Sequence, residues 1–150
     1  MSDLIIEHFT PADQSAAQAL ILAGLEERWG ALDPSLNSDL NDIAASYATG
    51  VFLVARLAGR LVGTGALLPE GKGVGRIVRM SVARAHRRRG IGARILQVLL
   101  DEARARGYHT IVLETTETWD DAIAFYLRYG FRIVARRHGD VHFAMALAQG

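Results

Sequence analysis

From Met80 to Ala93 the chain reads Met-Ser-Val-Ala-Arg-Ala-His-Arg-Arg-Arg-Gly-Ile-Gly-Ala, an apolar run that enters a basic loop and ends on two glycines. From there Gly90–Arg106 carries Ile91, Ile95, Leu96, Leu99 and Ala103 on one helix face, and Gly107 stops it. Thr110–Glu114 is a second β-rich run. A strand, a helix and a strand in that order require a parallel pair joined by a right-handed crossover. The rest of the chain has to be built around that unit.

The flanking elements are short. Leu4–Phe9 predicts a strand, and Thr10-Pro11-Ala12-Asp13 opens a helix: Thr10 as cap, Pro11 in the first helical position, Asp13 at the capping-box place. Ala17, Leu20, Ile21, Gly24 and Leu25 form its buried stripe. Trp29–Asn41 is loop-like, and a second short helix follows from about Asp39 to Tyr47. Val51–Leu57 and Leu61–Leu68 read as a hairpin through Ala58-Gly59. Pro69–Gly75, with glycines at 71, 73 and 75, is expected to be a mobile loop before the strand Arg76–Ala83. Thr118 is placed to cap a helix with Asp121 at its third position and Ala122, Phe125, Tyr126 and Tyr129 on one face, ended by Gly130. Phe131–Arg137 and Val141–Leu147 close the chain as a hairpin around Gly139-Asp140. The expected fold is α/β (mixed α+β), one domain over residues 1–150, with a mixed sheet and helices on both faces.

Half of the 150 residues are hydrophobic, and a chain of this length buries about 70% of its unfolded surface, enough for a core without staples. With no cysteine there is no disulfide, no thiolate metal site and no cysteinyl acyl-enzyme. The apolar runs fall short of the roughly 20 residues of a membrane span, and Met1-Ser2-Asp3-Leu4 opens without a signal-like core. A cytoplasmic protein with no membrane partner is expected. Net charge is +1, but residues 1–70 carry −6 and residues 71–100 carry +8 with no acid. A basic island in a near-neutral chain marks a local anion site better than a nucleic-acid coat.

The chemistry of that island follows from helix physics. The first turn of a helix has unpaired N–H groups and the positive end of the dipole. Glycine lets a phosphate reach those amides, and arginine supplies the matching charge. A dinucleotide fold is disfavoured because Ile95 stands where its third glycine is needed. Gly71-Lys72-Gly73-Val74 lacks the ending of a P-loop. His138 and His142 are separated by a turn, so no metal site is expected.

Arg87-x-x-Gly90-x-Gly92 between a strand and a helix resembles the Gln/Arg-x-x-Gly-x-Gly/Ala signature of the GNAT N-acetyltransferases. Ala122-Ile-Ala-Phe125-Tyr126-Leu-Arg-Tyr-Gly130-Phe131 resembles the late A-x-x-F-Y-x-x-x-G-F segment of the same family. The order of elements matches along nearly the whole chain. The resemblance implies a GNAT-type three-layer fold: a mostly antiparallel sheet of about seven strands, a central parallel pair that splays apart, and four helices. It implies acetyl-CoA as co-substrate, transferred to a small-molecule or peptide amine by direct attack in a ternary complex. Amides from Arg87 through Arg88, Arg89, Gly90, Ile91 and Gly92 to Ala93 would cradle its pyrophosphate, and the backbone of Met80 and Val82 would pair with its pantetheine arm. Tyr126 takes the place of the general acid. Family members are often homodimers.

The base is open: Glu114 ends the strand facing the thioester gap, while His142, Glu26 and Glu27 are alternatives. Glu26, Trp29 and His142 are candidates for the acceptor pocket. Trp119 stands where many members carry an asparagine that helps hold the cofactor; either that contact is lost or the indole lines the pocket. The net −6 of the first 70 residues favours a cationic acceptor. Two other readings remain, a non-catalytic CoA-binding regulatory domain and a basic-patch nucleic-acid binder.

Overall fold

In the computed structural model, which describes residues 3–148, the described chain forms seven strands and four α-helices. The strands are β1 (Leu4–His8), β2 (Val51–Leu57), β3 (Arg60–Gly71), β4 (Val74–Val82), β5 (Thr110–Thr116), β6 (Arg132–Arg137) and β7 (Asp140–Ala146). The helices are α1 (Gln14–Trp29), α2 (Ile43–Ser46), α3 (Ile91–Ala105) and α4 (Asp120–Arg128). One sheet holds all seven strands in the order β1-β2-β3-β4-β5-β7-β6. Only β4 and β5 pair in parallel, as the α3 crossover requires.

Each sheet face carries its own apolar cluster. Ile91, Ile95, Leu96, Leu99 and Ala103 of α3 pack with Tyr126, Phe131 and Phe143 on one face. Ala17 and Ile21 of α1 pack with Ile43, Phe52 and Val54 on the other. Helix α3 comes very close to β3. A Cβ on Gly65 would lie 2.6 Å from Ile95 Cγ2 and 2.7 Å from Met80 Sδ, so the helix can sit there only over glycine.

Three local expectations are corrected. Pro69–Gly75 is not a loop: Leu68 faces Arg76, Pro69 faces Gly75, and the strands turn through Lys72 and Gly73. The glycines serve a tight reversal, with φ of 97° at Gly71 and 78° at Gly73. Thr118 does not cap α4; Trp119 holds that position without a side-chain cap, and Asp121 is spent on another bond. The second helix shrinks to one turn because Pro34–Asn41 winds as 3-10 helix and Asp42 caps α2 through Ala45 N–H. At α1, Pro11–Asp13 is a 3-10 turn that leads into the helix, and the Thr10 amide donates to Asp13 at 3.0 Å.

Candidate active site

The site begins where the parallel pair ends. β4 and β5 are in register only from Val74–Arg76 against Thr110–Val112, after which both continue without pairing. Past Arg76, β4 therefore presents backbone groups to an open gap on its β5 side. A bulge sits there: between Thr64↔Ser81 and Ala66↔Val78 the register slips, and Arg79 takes φ 57°. Thr64 Oγ1 donates to the Arg79 carbonyl at 2.8 Å and holds the bulge.

Bulging turns Arg79 out of the sheet toward the 3-10 segment. It grips Asp39 through Nε (3.0 Å) and Nη2 (2.6 Å), and Asn37 through Nη1 (3.2 Å). Tyr47 donates to the same Asp39 at 2.6 Å. Burial alone would raise the Asp39 carboxyl, but these hydrogen bonds and the Arg79 charge outweigh it and hold the group below its ordinary value. The segment between α1 and α2 is thus locked to the strand that flanks the gap.

At the far end of β4 the chain enters the basic loop. Gly90 has φ 79°, a left-handed conformation with open space where a Cβ would be. Among the described residues the amides of Arg88, Arg89, Gly90, Ile91, Gly92 and Ala93 meet no backbone acceptor, the first helical bond being Arg94 N–H to the Gly90 carbonyl at 3.1 Å. Arg88 and Arg89 are exposed. Arg87 is engaged: Nε donates to the Val82 carbonyl (3.0 Å), and the two terminal nitrogens bond Glu27 of α1 at 3.3 and 2.8 Å. The Arg87 hydrogen bond lowers the Glu27 carboxyl below its ordinary value. These residues fit an acetyl-CoA diphosphate: a six-amide cradle, flanking arginines and no obstructing Cβ.

Between α1, β4, β5 and α4 lies a cavity of 270 Å³. Met80, Val82, Arg87, Glu114, Trp119 and Tyr126 all line it. The sequence-derived cofactor strand, carboxylate and phenol therefore meet in one space. Tyr126 is 8% exposed, its ring against Phe131 and Phe143 at 5.7 Å each. Burial raises its phenol well above the ordinary value, the Arg28 charge being the opposing influence. Glu114 is ion-paired with Arg76, which also bonds Glu70 at 2.7 Å.

Other candidates fall outside. Glu26 is exposed and lines no part of the cavity. His142 sits across from Glu114 on β7 but does not reach the lining. Trp29 is 55% exposed and stacks on Trp119, ring centroids 5.4 Å apart, so it supports the wall without forming it. Trp119 does form wall, with the Arg28 guanidinium 4.3 Å above its ring. Of the nine acids in residues 1–70, Glu7, Asp13, Glu27, Asp39 and Glu70 are each held by an arginine, and none of the nine lines this cavity.

Arg28 and Arg79 escaped the sequence reading. A left-handed arginine in a strand leaves no trace in composition. The indole at position 119 did signal a rebuilt wall, though not its partner Arg28.

A model of the acetyltransferase (GNAT) family matches residues 16–131. The chain belongs to the GNAT acetyltransferase family. It is 33% identical to an IAA acetyltransferase of Azospirillum brasilense over 133 residues, 87% of this chain and 86% of that protein. It is 36% identical to N-acetyltransferase 8F1 of Rattus norvegicus over 109 residues, 68% of this chain, and so spans about half (49%) of that relative's length. A GNAT-family acetyltransferase structure from Staphylococcus aureus Mu50 superposes with a TM-score of 0.90 at 20% identity, covering 97% of this chain and all (100%) of that one. The fold is thus the GNAT fold, with its seven-stranded sheet and single parallel pair. No helix among the described residues is long and apolar enough to cross a membrane.

Proposed function

We propose that the protein transfers an acetyl group from acetyl-CoA to an amine by direct attack in a ternary complex, in the cytoplasm. One observation carries this reading. Six consecutive amides from Arg88 to Ala93 without a backbone acceptor among the described residues follow β4 in the chain, and Val82, Arg87 and Tyr126 line the cavity beside the open β4–β5 gap. Acetyl-CoA supplies the activated thioester. The amides and Arg88 and Arg89 hold the diphosphate, and the β4 edge around Met80 and Val82 aligns the pantetheine arm.

The residues then manage protons. An amine of pKa ~10.4 is about one part in 2,500 neutral at pH 7, a penalty near 4.6 kcal/mol. Glu114, through a water, is the carboxylate placed to take that proton. A backbone amide of the gap stabilises the oxyanion. Tyr126 serves the departing sulfur. A phenol is a weaker acid than a thiol, so full transfer to a free thiolate is uphill by about 2 kcal/mol, and burial widens the gap. Tyr126 therefore acts first as a hydrogen-bond donor to the developing charge, completing the transfer only as the tyrosinate is reprotonated.

Calorimetry with CoA and a thiol-release assay over an amine panel test the proposal. Micromolar CoA binding together with amine-dependent thiol release is expected. CoA binding with no turnover on any amine would mean a regulatory domain. Duplex binding with a steep salt slope, indifferent to CoA, would mean a nucleic-acid binder.

A further inference from the structure

Three arginines line the cavity, Arg28, Arg79 and Arg87, with one acidic residue, Glu114. Their hydrogen-bonding capacity is not equally free. Arg79 spends Nε, Nη1 and Nη2 on Asp39 and Asn37. Arg87 spends all three nitrogens on Val82 and Glu27. Arg28 bonds Asp121 with Nη1 (3.0 Å) and Nη2 (2.8 Å), and its Nε has no acceptor among the described residues. A guanidinium carries two forked edges, so the Nε edge of Arg28 is open.

The guanidinium also rests on an aromatic wall. The Arg28 guanidinium lies 4.3 Å over the Trp119 ring, and Trp119 is backed by Trp29. Its partner Asp121 has a side chain 74% exposed, and an ion pair so exposed holds weakly. A second carboxylate can share or displace it at little cost.

From this we infer that the acceptor is a zwitterionic amine of amino-acid type, its carboxylate forked on Arg28 and its amino group directed to Glu114. The inference rests on the acyltransfer reading above and deepens it. Arg28 and Glu114 line one small cavity, each sharing its charge with a partner behind it, Asp121 for Arg28 and Arg76 for Glu114, and a molecule that carries both signs close together matches that pair. A purely cationic acceptor would leave the Arg28 edge unanswered, and a neutral one would leave both unanswered.

The test compares free amino acids with their own amides: leucine, methionine and phenylalanine against leucinamide, methioninamide and phenylalaninamide. The α-amino group of the amide is the weaker base, so more of it is neutral and free to attack at pH 7; basicity therefore favours the amide and cannot mimic the expected result. Wild-type kcat/KM should favour each free acid at least tenfold. In Arg28→Met the ratio should fall to near one. Because both substrates meet the same preparation, partial unfolding cancels from the ratio. Arg28→Lys, which keeps the charge and loses the fork, should retain only part of the preference. Equal or better rates on the amides, or a ratio unmoved by Arg28→Met, overturn the inference while acyltransfer stands. Absence of CoA binding overturns the acyltransfer reading itself, and calorimetry with CoA alone separates that failure from the first.

Discussion

Tyr126→Phe removes one oxygen and leaves the ring in place, which allows the consequences to be worked out in advance. The ring is wedged against Phe125, Phe131 and Phe143 with centroids 5.1, 5.7 and 5.7 Å away, and all of those contacts survive. Among the described residues the hydroxyl has no hydrogen-bond partner; burial and the Arg28 charge are the influences on it. Losing a bonded hydroxyl would cost about 0.5–1.5 kcal/mol, whereas losing an unbonded, desolvated one costs nothing or returns up to about 1 kcal/mol. For a chain of this length 1 kcal/mol is roughly 2–4 °C in Tm. The variant should therefore melt at the wild-type temperature or up to about 3 °C higher. Its catalytic loss should be large, since a positioned acid contributes about 100-fold or more. Thiol release at saturating acetyl-CoA should show kcat down at least about 100-fold, with KM for the donor within threefold. A kcat near wild type would reduce Tyr126 to a packing residue. A Tm lowered by more than about 4 °C would show that the hydroxyl anchors the core, and the reasoning would fail on that count too.

Two further outcomes follow from the geometry. Gly90→Val forces a branched side chain into φ 79°, costing at least about 1–2 kcal/mol locally, and sets methyls beside the open amides. Gly92 offers a Cβ ordinary contacts at 3.6 Å (Phe125) and 3.7 Å (Val82), so Gly92→Val folds but shields the same amides. Each should weaken CoA binding at least tenfold with unchanged circular dichroism; an unaltered Kd by calorimetry would remove the diphosphate from this loop. Asp39→Ala strands the Arg79 guanidinium, whose side chain is 17% exposed against 30% for Asp39. Partial exposure puts the cost below that of a fully buried pair, about 2–3 kcal/mol, or roughly 5–10 °C. Because the folded Asp39 carboxyl lies below its ordinary value, its stabilisation is complete above about pH 4 and is lost as pH falls through the folded value. Denaturant titrations should show a constant gap between wild type and variant from pH 5 to 7 that closes in acid. A gap undiminished at low pH would rule out the ion pair as its source.

Much of the molecule was legible before any coordinates. Periodicity placed α3 within one residue at each end, and the two glycine-bearing motifs fall at the start of α3 and along α4. Those features are local: a helix face, a cap and a loop are written in adjacent residues. What escaped was set by long-range geometry. The β3–β4 reversal looked like a loop because three glycines suggest freedom, while the cross-strand register that uses them lies in another segment. Arg79 reads as one basic residue among eight until the bulge turns it toward Asp39, 40 positions earlier. Arg28 meets Asp121 across 93 positions. Charge counted by segment hides such pairing for the same reason, since five of the nine acids in the first 70 residues are paired with arginines from across the fold or from their own segment.

The short stretch of parallel pairing has a mechanical consequence. Only three register positions stitch the β1–β4 half of the sheet to the β5–β7 half. Beneath that seam runs the large apolar cluster shared by α3, Phe131 and Phe143. Hydrogen bonds resist shear because they are directional; oily contacts resist separation far more than sliding. Cohesion between the two halves therefore rests mainly on that shared cluster, with the three-position seam and the exposed Arg28–Asp121 pair between α1 and α4 adding little.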